Sequence, residues 1–143
     1  SCARSRSSAS RSPRVRASLR TVVSDGCRKF HVDYKGLRLL CTYAGPGTEW
    51  VPDADVDRAA LGVCEGDMEL ANARVIPRPE AVRRARPGDV VVLKGEELAP
   101  GRGAVHRSPP IERASRASIG SVKTMTPPGS ANAFASACCL NSN

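Results

Sequence analysis

The sequence predicts a mainly β fold, a sandwich or barrel rather than an α/β fold. Its apolar segments are short: LRLLCTY at 37–43 is the strongest strand signal, and Val90-Val91-Val92-Leu93 is the longest strongly apolar run. Gly- and Pro-rich turns separate these segments, as in all-β domains built from many short strands.

Taken in order, Leu19–Val23 is a short apolar run with Thr, fit for a strand, and Ser24-Asp25-Gly26 is a turn. Cys27–Asp33 reads as a strand with Phe30 and Val32 on one face and Lys29, His31 and Asp33 on the other, because side chains alternate. Leu37–Tyr43 reads as a buried strand ended by Gly45-Pro46-Gly47. Asp53 is placed to cap a short helix through Leu61, and Pro79–Ala85 forms a second, with Pro in its first turn. Pro87-Gly88-Asp89 then feeds Val90–Leu93, a second buried strand, and Gly95, Gly101 and Gly103 break the chain before Ala104-Val105-His106. Cys27 and Cys41 are expected as small core residues.

The 143 residues suit one domain, in three zones. Residues 1–18 are almost entirely Ser, Arg and Ala, too polar to offset their ordering entropy by burial. They read as a disordered arm, an Arg- and Ser-rich organelle transit peptide, or a nucleic-acid-binding arm. Residues 19–112 are the expected β-domain, and residues 113–143, rich in Ser, Ala and Asn, a low-complexity tail. The formal charge of +8 belongs to the ends: residues 1–20 hold six Arg and no acid, whereas residues 21–112 hold 13 basic and 14 acidic residues. A nucleic-acid surface on the folded part is therefore not expected. No segment approaches the roughly 20 apolar residues a membrane span needs, and residues 1–20 lack the apolar core of a secretory signal. The six Cys form no C-x-x-C and include the adjacent Cys138 and Cys139, a pattern of free thiols in a reducing, intracellular setting.

Only two His occur, His31 and His106, both at the edges of expected strands. His31-x-Asp33 sets an imidazole and a carboxylate on one strand face, their Cα atoms roughly 6.5–7 Å apart. With His106 they would make the two-His, one-carboxylate set that leaves positions open on a metal, the arrangement of non-haem Fe(II) oxygenases. Against this, H-x-D arises often by chance, and a His ending a strand is usually a surface or satisfied core residue. Arg38, inside LRLLCTY, needs a partner if its strand is buried, with Asp33 or Glu49 as the choices. Trp50 reads first as a core or rim residue rather than a substrate platform, and Tyr43 as a wall residue. Gly101-Arg102-Gly103 is too short for a phosphate loop.

The stretch Cys27–Trp50, CRKFHVDYKGLRLLCTYAGPGTEW, together with Leu93-Lys94-Gly95 and GRGAVHRSPPI at 101–111, resembles the signature block of the domain of unknown function 1826 family. Val51-Pro52-Asp53 and Arg78-Pro79-Glu80 sit where that family has similar segments, so the likeness covers about residues 22–112. By analogy it implies a cupin-like, double-stranded β-helix layout, partial in this chain, with Fe(II) first and zinc second at His31, Asp33 and His106. It further implies 2-oxoglutarate as cosubstrate, its carboxylate held by Arg113 or Arg116, and a small-molecule substrate. The chain departs from the family after Ile111, where Glu112-Arg113-Ala114-Ser115 replaces an apolar strand. This points to a domain incomplete at its ends. The rival readings are a non-catalytic metal- or ligand-binding domain and a non-functional fragment.

Overall fold

The computed structural model describes residues 14–22, 26–34, 36–63, 66–111 and 117–125. The expected behaviour of residues 1–13, of Arg113 and Arg116, and of residues 126–143 lies outside them.

The fold is mainly β. Among the described residues, eight strands form two four-stranded antiparallel sheets. The first runs β1 (Arg14–Val22), β8 (Ala117–Met125), β3 (Leu37–Ala44), β6 (Val90–Lys94) in that spatial order. The second runs β2 (His31–Val32), β7 (Val105–Arg107), β4 (Glu49–Trp50), β5 (Arg83–Arg84). The described strands do not close into a barrel. Strand β8 occupies a stretch where composition predicts no regular structure, and β1 takes in the expected strand at Leu19 but begins five residues earlier, in the Arg/Ser-rich arm. They pair along their whole length, Arg14 opposite Met125 through Val22 opposite Ala117, and that ladder supplies the backbone partners each would otherwise lack. Within β1 the order Val15, Ala17, Leu19 against Arg14, Arg16, Arg20 is a period-two pattern that an Arg/Ser-rich composition conceals.

Strands β3 and β6 fall where expected, but neither is buried on both faces. Leu93 is buried, whereas Val90 and Val92 are 61% and 53% exposed, so β6 alternates like a half-covered sheet. Cys41 and Cys27 are of intermediate burial rather than core residues.

The helices differ more from expectation. Residues 53–61 form two 3-10 turns, Asp53–Asp55 and Arg58–Ala60, and Pro79–Ala81 forms a third before β5. The one α-helix among the described residues, α1 (Met68–Val75), lies between them. Its strong helix formers and its N-cap, Asp67, whose carboxylate accepts from Glu69 and Leu70 N–H, explain it. Buried Val75 and Ile76 of this helix end pack with Phe30, Val51 and Val105 into the main core, backing one face of the second sheet. Asn72 pins the lead of β2 to the helix: Phe30 N–H donates to its Oδ1 at 2.9 Å, and its Nδ2 donates to the Arg28 carbonyl at 3.1 Å.

Gly47 fixes the approach of β4 to the segment after β5. A Cβ there would sit on the Ala85 carbonyl oxygen, in a stretch held by Ala85 N–H donating to Thr48 O. Gly47→Ala is expected to lose about 3 kcal/mol of stability through this backbone clash, read as a lowered urea midpoint. An unchanged midpoint would show that the two segments can separate freely.

Candidate metal centre

The site grows from the second sheet. His31 on β2 is directly opposite His106 on β7, and His106 is directly opposite Trp50 on β4. Directly paired residues of antiparallel strands share a face, so both imidazoles and the indole lie on the face away from the Phe30 core. The two rings stand 4.4 Å apart between centroids, tilted at 50°. Asp33, two residues beyond His31, returns to that face. Its backbone is held by Glu96 N–H donating to Asp33 O at 2.9 Å.

Hydrogen bonding sets the tautomers. His31 Nδ1 lies 2.9 Å from the Lys29 carbonyl and His106 Nδ1 lies 2.9 Å from the Ala104 carbonyl. A carbonyl can only accept, so each Nδ1 carries a proton, and in the neutral ring Nε2 then keeps its lone pair. His106 Nε2 is buried without a hydrogen-bond partner, and so is Asp33 Oδ2; the two are 3.9 Å apart. Two buried polar atoms thus face one another without a hydrogen bond. One ligand atom from each of His31, Asp33 and His106 falls within 4.8 Å of the others. Orphaned acceptors converging at this spacing fit a divalent cation, which would accept a lone pair from each.

The surroundings keep His106 neutral. Its pKa falls from 6.5 to about 4, first by burial and then by the neighbouring His31, against an opposing pull from the Ala104 carbonyl and Asp33. A histidine whose pKa is lower folded than unfolded contributes stability that is full above about 6.5 and is lost as pH falls toward 4. The metal-free chain is expected to lose up to about 3 kcal/mol across that window. His106→Gln, which cannot titrate there, should flatten the profile, and an equally steep one would assign the loss to other groups.

Arg38 reaches Asp33 from the first sheet. Its Nε lies 3.0 Å from Asp33 Oδ2, but the N–H is not aimed at the oxygen, so the contact is an ion pair and not a hydrogen bond. Of the two partners that the sequence allows Arg38, the structure selects Asp33. Glu49, the other, is taken by a pair of arginines. Its Oε1 accepts from Arg84 Nε at 3.1 Å and Nη2 at 2.5 Å, and its Oε2 accepts from Arg107 Nε at 2.6 Å. Arg107 also lies over the Phe30 ring, 4.4 Å from its centre, and Arg83 lies 5.2 Å over Trp50. No sequence signal marks these pairings, because β4 and β5 are two residues each.

A family model, that of the DUF1826 proteins of unknown function, matches residues 2–119. The chain belongs to the DUF1826 family. The match runs beyond the segment 22–112 that carries the recognisable motifs, and it takes in β1 and the first residues of β8. No curated protein and no solved structure matches this DUF1826 chain. Among its described residues, no helix is long and apolar enough to cross a membrane. Arg113, to which the cupin analogy gives a cosubstrate role, lies outside the described residues.

Proposed function

We propose that this DUF1826 domain binds one divalent metal ion through His31 Nε2, His106 Nε2 and Asp33, with Fe(II) the first choice and Zn(II) the second. The observation that carries the reading is the pair of buried acceptors without a hydrogen bond, Asp33 Oδ2 and His106 Nε2, 3.9 Å apart. Buried polar atoms normally have partners, and a cation satisfies both at once. Two imidazoles and one carboxylate suit either metal and leave positions open for other ligands.

The finer form of the reading is an Fe(II)- and 2-oxoglutarate-dependent oxygenase acting on a small molecule. Bound iron would supply the oxygen chemistry. The chain's own residues would hold the two Nε2 lone pairs and the Asp33 oxygen at one point, with Trp50 beside them in the same cross-strand row. A non-catalytic metal-binding domain is the alternative, and the same three ligands support it.

Metal analysis of the purified chain tests the reading. About one iron or zinc per chain is expected, falling to background in His106→Ala. Absence of metal after incubation with either ion would end it. Fe(II)-dependent turnover of 2-oxoglutarate, lost in Asp33→Ala, would separate the oxygenase from the purely binding form.

A further inference from the structure

We propose that the site takes its metal together with a small oxyanion, a carboxylate, held by Arg38, so that metal and anion strengthen each other's binding. The inference rests on the metal reading above.

It follows from charge. A divalent ion at Asp33 leaves a net +1, and Arg38, 3.0 Å from the same carboxylate oxygen, raises this to +2. The imidazoles are neutral donors there. Of the nearby carboxylates among the described residues, Glu96 already accepts from the Gly101 and Gly103 N–H groups, and Glu49 is already shared by Arg84 and Arg107. It also sits on the opposite face, because Glu49 alternates with Trp50 along β4. A half-buried +2 without a counter-charge is costly, since the low dielectric strengthens repulsion as much as attraction.

Arg38 is placed to hold the missing anion. Its side chain is 24% exposed and that of Asp33 17%, so a solute can reach them. The Nε–H is not directed at Asp33, and the structure gives the guanidinium no hydrogen bond among the described residues. A planar guanidinium with free N–H groups is the side chain best matched to a carboxylate.

Metal-anion coupling is reciprocal: whatever factor the anion adds to metal affinity, the metal adds to anion affinity. The test measures Co(II) affinity of the full chain by its visible absorption at fixed pH and ionic strength, with acetate replacing perchlorate. Acetate is expected to raise Co(II) affinity by about 5-fold or more, the lower end of typical couplings. In Arg38→Met the acetate effect disappears, while Co(II) in perchlorate binds more tightly than to the wild type, because a repelling charge is gone. Arg38→Lys, which keeps the charge, retains the acetate effect; should Arg38→Met fail to fold, this variant and the wild type decide the matter. Equal affinities in the two salts for the wild type, an acetate effect that survives Arg38→Met, or one lost in Arg38→Lys would each overturn the proposal. Wild-type chain that binds no Co(II) in either salt would overturn the metal reading itself, and with it this one.

Discussion

Replacing His106 by alanine is expected to lower the affinity for Zn(II) by at least about 100-fold. Losing a residue that merely orients a ligand typically costs 10- to 100-fold, and His106 would be a ligand itself. It is also the central residue of its row, directly opposite both His31 and Trp50. His31 and Asp33 remain on one strand end, so weak binding survives rather than none. The affinity is read by competition with a chromophoric chelator, with far-ultraviolet circular dichroism as the control for folding. An affinity within a few-fold of the wild type, in a folded variant, would place the ion away from these residues.

Glu49→Ala is expected to unfold the domain at markedly lower urea, by about 3 kcal/mol. The Glu49 side chain is 5% exposed and holds Arg84 from β5 and Arg107 from β7, so its removal leaves two cations without their anion. Arg84 is half exposed and rehydrates readily, which keeps the loss near the lower end of the range for broken buried pairs. Glu49→Gln, which still accepts a hydrogen bond, should lose less than half as much. Because Glu49 lies on the sheet face opposite His106, the metal affinity of the folded variant should not change. A stability loss below about 1 kcal/mol would mean that the three side chains behave as a solvated surface cluster.

The local part of the site was legible in the sequence, and the distant part was not. His31 and Asp33 share a face because any extended segment alternates, and that needs only two positions to be read correctly. Placing His106 beside them requires a pairing across most of the chain, which periodicity cannot supply; the likeness to DUF1826 motifs suggested it. The mainly β architecture followed from short apolar runs and turns. The helix at Met68–Val75 escaped because eight residues hold barely two turns, and the flanking Pro- and Asp-rich segments looked equally helical. Strands β4 and β5, at two residues each, are shorter than any pattern that could reveal them, so Glu49 and its arginines had no visible role. The pairing of β1 with β8 was hidden for another reason. Composition reports how much apolar surface a segment has, but not whether a partner strand exists to hold it.

The pairing of β2 with β7 has a topological consequence. Their bridge is only two residue pairs long, His31 with His106 and Val32 with Val105, yet it joins points about 75 residues apart along the chain. An ion gripping both imidazoles would act there as a cross-link, like a disulfide between two distant positions. Closing a loop of that length removes about 4 kcal/mol of conformational freedom from the unfolded chain in the simple chain-entropy account. Metal uptake would thus be felt far from the ligands, as slower amide exchange across the helix and turns that the loop encloses. Chelation would loosen the loop at this four-residue bridge.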